Sequence, residues 1–100
     1  GFMKTLAMEA GPFGIRANAI APGCVEGARI DAVIEKEAAK KKTTSDVIRE
    51  AYKSGTSLKT FVNAEDIASM ALFLASEQAS RISGQVIAVD GHTENPDPKI

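Results

Sequence analysis

One hundred residues bound the chain to at most one domain, and its 44% apolar and 25% charged residues are ordinary for a globular protein. A formal net charge of −1 excludes the strongly basic surface that nucleic acid or an anionic membrane would call for. No apolar run approaches the roughly 20 residues needed to span a bilayer, and Cys24, the only cysteine, rules out an internal disulfide, so the chain reads as cytoplasmic.

The first element is an amphipathic helix. Phe2, Met3, Leu6, Ala7 and Ala10 recur at three- and four-residue spacing. The opening "GFMKTLAMEAG" has neither the long apolar stretch nor the cleavage site of a signal peptide. No Ser, Thr, Asp or Asn precedes the helix as an N-cap, which suggests a helix cut in its middle and a chain that is the C-terminal part of something longer. Gly11-Pro12-Phe13-Gly14 ends it, since Gly suits a C-terminal cap and Pro cannot continue a helix.

Ile15 to Ala21 reads as a strand whose small, largely uncharged residues predict burial on both faces, stopping at Pro22-Gly23. Ala28 to Lys42 reads as a helix with Ile30, Val33, Ile34 and Ala38 on one face; Lys40, Lys41 and Lys42 close it, where cations favour the helix dipole. After Thr43-Thr44-Ser45, the stretch Asp46 to Lys53 is helical again, and Ser54 to Ser57 turn. Asn63 caps a helix that carries Glu65 and Asp66 in its first turn. Its apolar stripe (Ile67, Met70, Ala71, Leu74 and Ala75, widened by Leu72 and Phe73) predicts burial on more than one side. Ser83-Gly84 leads into a strand from Gln85 to Asp90, and the tail from His92 to Ile100 has no apolar pattern and reads as irregular.

Strands separated by helices predict an α/β parallel sheet with a right-handed crossover. Two short parallel strands do not form a self-sufficient sheet, a second sign that neighbours lie elsewhere.

The chemistry-bearing residues are sparse. One His and one distant Cys make no zinc signature. Ser83, His92 and Asp90 could be drawn as a triad, but so could some set in any chain with a single His. Cys24 has no basic neighbour in sequence to lower its pKa and reads as structural. "GPFG" enters a strand rather than opening a helix and is no phosphate loop. The residue types supply no complete set of catalytic residues. The remaining candidate is positional: ligands of open α/β sheets sit beyond the carboxyl ends of strands, and Pro22-Gly23 is such an end, followed by a long excursion suited to a lid or pocket wall.

Two stretches carry a resemblance. "LAMEAGPFGIRANAIAPG" and "NAEDIASMALFLASEQASRISGQVIAVDGH" resemble, in order and spacing, the C-terminal half of a short-chain dehydrogenase/reductase. The first agrees with the family pattern at Leu6, Ala7, Glu9, Gly14, Ile15, Arg16, Asn18, Ile20, Pro22 and Gly23. The second agrees at Glu65, Asp66, Ile67, Ala68, Phe73, Leu74, Ser76, Ile82, Ser83, Gly84, Val89, Asp90 and Gly91. The resemblance covers almost the whole chain outside the middle insert and the tail.

It implies a Rossmann-type doubly wound parallel sheet, of which this chain would be the last two strands with flanking helices and a helical substrate loop, as one C-terminal portion over residues 1–100. It implies an oxidoreductase that passes hydride between NAD or NADP and an alcohol or carbonyl compound. The family's glycine-rich cofactor turn, its Asn and Ser, and its Tyr-x-x-x-Lys pair lie upstream of the matched region, so no catalytic residue carries over and this chain alone is expected to be inactive. Pro22 and Gly23 would pack beside the nicotinamide, and the Val25 backbone would bond its carboxamide. Residues 26–58 would form the substrate loop, with Glu26, Gly27 and Arg29 as its site residues. Three departures stand out: Gly27 where Thr is usual, His92 where the second Gly of Val-Asp-Gly-Gly is usual, and Ala64 for Pro. The family also implies association as dimers or tetramers through the first helix and through the last helix and strand. A different class of reading is a non-catalytic structural or association module, or a binding domain that uses the exposed sheet edge.

Overall fold

The polypeptide is described over residues 1–93 in a computed structural model. It runs α1 (Phe2–Ala10), β1 (Ala19–Pro22), α2 (Ala28–Lys40), α3 (Ser45–Ser54), α4 (Ala64–Ala75) and β2 (Val86–Val89). The strands pair in parallel with Ala19 opposite Val86 and Pro22 opposite Val89, and the three helices between them form the crossover. Residues 94–100, most of the stretch read as an irregular tail, lie outside the described residues.

β1 is shorter than Ile15 to Ala21. The ladder begins only where the Ala19 N–H donates to the Gln85 carbonyl at 2.9 Å. The four preceding residues use other partners. Asn18 Nδ2 donates to the Ile82 carbonyl and its Oδ1 accepts the Gln85 N–H, both at 3.0 Å. Ser83 Oγ accepts the Ala17 N–H at 3.1 Å, the Ala17 carbonyl accepts the Gly84 N–H at 2.7 Å, and Arg16 Nη1 donates to the Ile82 carbonyl at 3.3 Å. Side chains thus replace the ladder where the strands diverge. β2 likewise spans Val86–Val89 rather than Gln85 to Asp90, because Gln85 N–H goes to Asn18 and Asp90 to a turn.

Burial on both faces of β1 is not found: Ala19 and Ile20 are half-buried, while Ala21 and Pro22 are exposed. α1 buries no residue, and Phe2 is 79% exposed. In α4 only one edge of the wide stripe is covered, with Ile67, Met70 and Leu74 half-buried and Leu72 73% exposed. Among the described residues these apolar faces stay largely uncovered.

The core lies elsewhere. Ile34, Ala38, Ile48 and Phe61 form a buried cluster, with Cys24, Ile30 and Tyr52 packed against it. It draws on α2, α3 and the strand-like return after them. Full burial of Ile34 and Ile48 contributes about 1.5–3 kcal/mol each. α2 stops at Lys40 rather than Lys42, since Lys42 turns to φ 55° and the Thr43 N–H returns to the Ala38 carbonyl. α3 is one residue longer at each end than Asp46 to Lys53. Thr44 Oγ1 caps it by accepting the Val47 N–H at 3.3 Å. Asn63 and Asp66 form a capping box at α4, in which the Asp66 carboxylate accepts the Asn63 N–H at 2.7 Å.

Candidate functional site

β1 and β2 end side by side. Beyond Pro22, the Gly23 N–H donates to the Val89 carbonyl at 3.0 Å, one last rung of the ladder. This rung presses Gly23 against Asp90: a Cβ on Gly23 would lie 2.7 Å from both Cα and Cβ of Asp90. Glycine is required here by close backbone approach, with no demand on φ.

The chain then turns to a second partner. Val25 forms an isolated parallel bridge with Val62, in which the Val62 N–H donates to the Cys24 carbonyl at 3.0 Å and the Glu26 N–H donates to the Val62 carbonyl at 2.8 Å. In such a bridge the residue between the two bonded groups turns its own N–H and C=O the other way. Among the described residues neither group of Val25 has a hydrogen-bond partner. A donor and an acceptor therefore point from one backbone residue at the carboxyl end of a parallel sheet, where ligands of such folds bind.

Glu26 and Gly27 carry the chain into α2. Gly27 sits at φ 150° and ψ −178°, a region essentially reserved for glycine, with open space where a Cβ would be. A side chain at this position would be strained by the backbone conformation and not by lack of space. Arg29 is exposed on the first turn of α2 and makes no hydrogen bond or ion pair among the described residues.

Electrostatics at this rim are organised by a residue that sequence reasoning passed over. Arg49 of α3 hydrogen-bonds Glu26 Oε1 through Nη1 at 2.8 Å, and its Nη2 pairs with Asp31 in the first turn of α2. Its guanidinium carbon lies 5.3 Å from the centroid of the Phe61 ring, and Lys53 Nζ lies 5.6 Å from the same centroid. The Glu26 hydrogen bond, followed by that to Asp31, holds the guanidinium above its already high pKa. Arg49 stands 23 and 18 residues from its acidic partners, beyond the reach of any local pairing rule.

Other candidates fall away. Cys24 packs against the core cluster and burial raises its pKa, which disfavours the reactive thiolate. Ser83 precedes β2, whereas Asp90 and His92 follow it, and the Asp90 carboxylate accepts the His92 backbone N–H at 2.9 Å, so the three form no triad. His92 adopts φ 63°, the left-handed conformation a glycine would supply. Among the described residues no three His, Cys, Asp or Glu side chains could hold a metal ion, and no helix is long and apolar enough to cross a membrane. The residues that touch Val25 and Gly23, Val62 and Asp90, also line an open cleft of about 710 Å³ beside Leu58, Phe61 and Met70.

Comparison with known proteins places the chain in a family. A family model described as enoyl-(acyl carrier protein) reductase matches residues 1–92. The 3-oxoacyl-(acyl-carrier-protein) reductase FabG of Aquifex aeolicus is 40% identical over 91 residues, covering 91% of this chain and 32% of its own length. L-sorbose reductase from Gluconobacter frateurii, solved with NADPH and L-sorbose, superposes with a TM-score of 0.81 at 26% identity, covering 94% of this chain and 36% of that one. A 4-hydroxyisoleucine dehydrogenase solved with NADH superposes with a TM-score of 0.65 at 32% identity, over 92% of this chain and 33% of that one. The chain thus spans about a third of the length of the relatives it matches. It belongs to the short-chain dehydrogenase/reductase family and comprises part of that family's Rossmann-type α/β fold.

Proposed function

We propose that this chain forms the nicotinamide-side wall of an oxidoreductase that interconverts an alcohol and a carbonyl compound with NAD or NADP. The observation that carries the reading is Val25, whose N–H and C=O are left free at the carboxyl end of the sheet. A carboxamide offers the complementary acceptor and donor. Pro22 and Gly23 would lie against the ring, and the tight Gly23–Asp90 approach keeps that wall flat. The nicotinamide, when bound, supplies the hydride chemistry. This chain's residues orient the ring, and orientation governs the rate of such transfers. Glu26, Gly27 and Arg29 open the substrate excursion, residues 26–58. The relatives support the nicotinamide and leave the choice between NAD and NADP open, since one was solved with NADPH and another with NADH. The whole enzyme would be cytoplasmic and would take a small-molecule substrate, with neither nucleic acid nor membrane as partner.

The Tyr-x-x-x-Lys pair and the glycine-rich turn of the family are not among these 100 residues, so the chain by itself is expected to show no nicotinamide-dependent turnover. Calorimetry tests both halves. In the full-length protein, Val25→Pro removes the free N–H and should weaken nicotinamide-cofactor binding about tenfold; an unchanged Kd refutes the assignment. Saturable micromolar binding by the 100-residue chain alone would refute the claim that affinity resides upstream.

A second reading, a structural or association module without catalysis, is favoured by the exposed apolar faces at Phe2, Leu72, Phe73 and Val86. Dimers or tetramers built through α1 and through α4 with β2 would cover them. A clean monomer in sedimentation at micromolar concentration would count against association.

A further inference from the structure

We propose that Arg49 is a positioning residue that holds the entry of the substrate excursion closed over a hinge at Gly27. The inference rests on the reading of Val25 as the cofactor edge, but its geometry stands apart from that reading. Val25 is fixed by its bridge to Val62, and α2 begins at Ala28. Between them lie Glu26, whose N–H belongs to the bridge, and Gly27, which has no side chain to pack and adopts a backbone conformation open only to glycine. Gly27 is the joint at which the first turn of α2 can move relative to the bridge, while Ile34 and Ala38 further along α2 stay packed with Ile48 and Phe61.

A single side chain closes the joint from both sides. The Arg49 guanidinium grips Glu26, before Gly27, and Asp31, after it. It lies over Phe61, the neighbour of the bridging Val62. Three segments that meet at the hinge are thereby tied to α3. The planar fork of arginine engages two carboxylates and an aromatic face at once, which a lysine ammonium does not do. The clamp shares one guanidinium between two rim carboxylates, and Arg29, exposed on the first turn of α2, has no ion-pair partner among the described residues. Glu26, Gly27 and Arg29 would then reach the substrate in a fixed arrangement rather than through a loop that must first order itself.

Hydrogen exchange and steady-state kinetics on the full-length protein test this. Arg49→Met should speed exchange of the hydrogen-bonded amides of Glu26, Asp31 and Ala32 roughly fivefold while leaving those of Ala38 and Ile48 unchanged, and Arg49→Lys should fall between it and wild type. The KM for the carbonyl substrate should rise about threefold or more in Arg49→Met, with kcat within about twofold, because the chemical groups are untouched. Exchange that is unchanged at Glu26, Asp31 and Ala32, or that rises equally at Ala38 and Ile48, overturns the clamp. An equal fall in kcat and kcat/KM with KM unchanged overturns the positioning role. Since the exchange measurement needs no cofactor, failure of the Val25 assignment would leave it standing, and the two failures are distinguishable.

Discussion

The substrate excursion, taken with its return through Phe61 and Val62, and the sheet with its flanking helices are built on opposite plans. The excursion contains Ile34, Ala38, Ile48, Phe61 and Val62, all buried, and closes on itself through ion pairs, a capped α3 and the Val25–Val62 bridge. The sheet region holds the more apolar elements, yet α1 and α4 bury nothing and Val86 of β2 is 62% exposed. The region that carries both family-like stretches leaves its apolar faces exposed among the described residues, whereas the excursion carries its own core. Packing, and not apolar content, makes a segment self-supporting.

Large-to-small substitutions give the strongest test of this contrast. Ile48→Ala empties a fully buried site and should cost about 2–5 kcal/mol in denaturant unfolding. Leu72→Ala, on the exposed face of α4, should stay within about 0.5 kcal/mol in the monomeric chain. A comparable loss at Leu72 would show that its face is covered in solution, and a negligible one at Ile48 would dissolve the distinction.

The junction between the two regions should yield the next largest effects. Gly23→Ala drives a methyl group into Asp90 and should cost about 1–3 kcal/mol in thermal unfolding, with no relief from neighbouring side chains because the clash is partly with backbone. Gly27→Thr restores the usual family residue and should also destabilise, by about 1–3 kcal/mol, since the conformation and not the space forbids a side chain. If Gly27→Thr were neutral, the excursion would be free to re-enter at another angle, and its autonomy would be complete.

The smallest effect lies on the surface of the excursion. Glu37 accepts from Lys41 and from the Tyr52 hydroxyl at 2.8 Å, and these bonds, Lys41 foremost, hold its pKa below the usual glutamate value. A carboxyl depressed in the folded state adds stability that is present above its unfolded pKa and is lost as pH falls through the folded one. Unfolding followed from neutral pH into the acid range should therefore lose stability slightly more steeply in wild type than in Glu37→Gln. Parallel curves would show that the bonds at Glu37 contribute nothing.

Local rules made much of this legible. Helix spacing located the four helices, Gly11-Pro12-Phe13-Gly14 marked a real stop, with Gly14 at φ 75°, and Asn63 with Asp66 announced a capping box. Pro22 and Gly23 were singled out by position at a strand end and Val25 by resemblance; Pro22 closes β1, and Gly23 and Val25 follow it. Strand limits were less legible, because Arg16, Ala17 and Asn18 alternate like a strand while bonding to residues more than 60 positions away. Arg49 was invisible for the same reason: an isolated arginine on a helix acquires meaning only from Glu26 and Asp31.

The sequence by itself determined which segments are helical, where the chain turns and which family it resembles, since propensity, capping and motif spacing act over a few residues. Only the tertiary structure decided that the apolar stripes of α1 and α4 stay open while the charged excursion acquires a core. It also decided that Val25 is free to bond because Cys24 and Glu26 are taken by Val62, and that Gly27 lies beneath a clamp. Each of these depends on which distant residue arrives opposite, and burial and hydrogen-bond pairing are properties of that arrival.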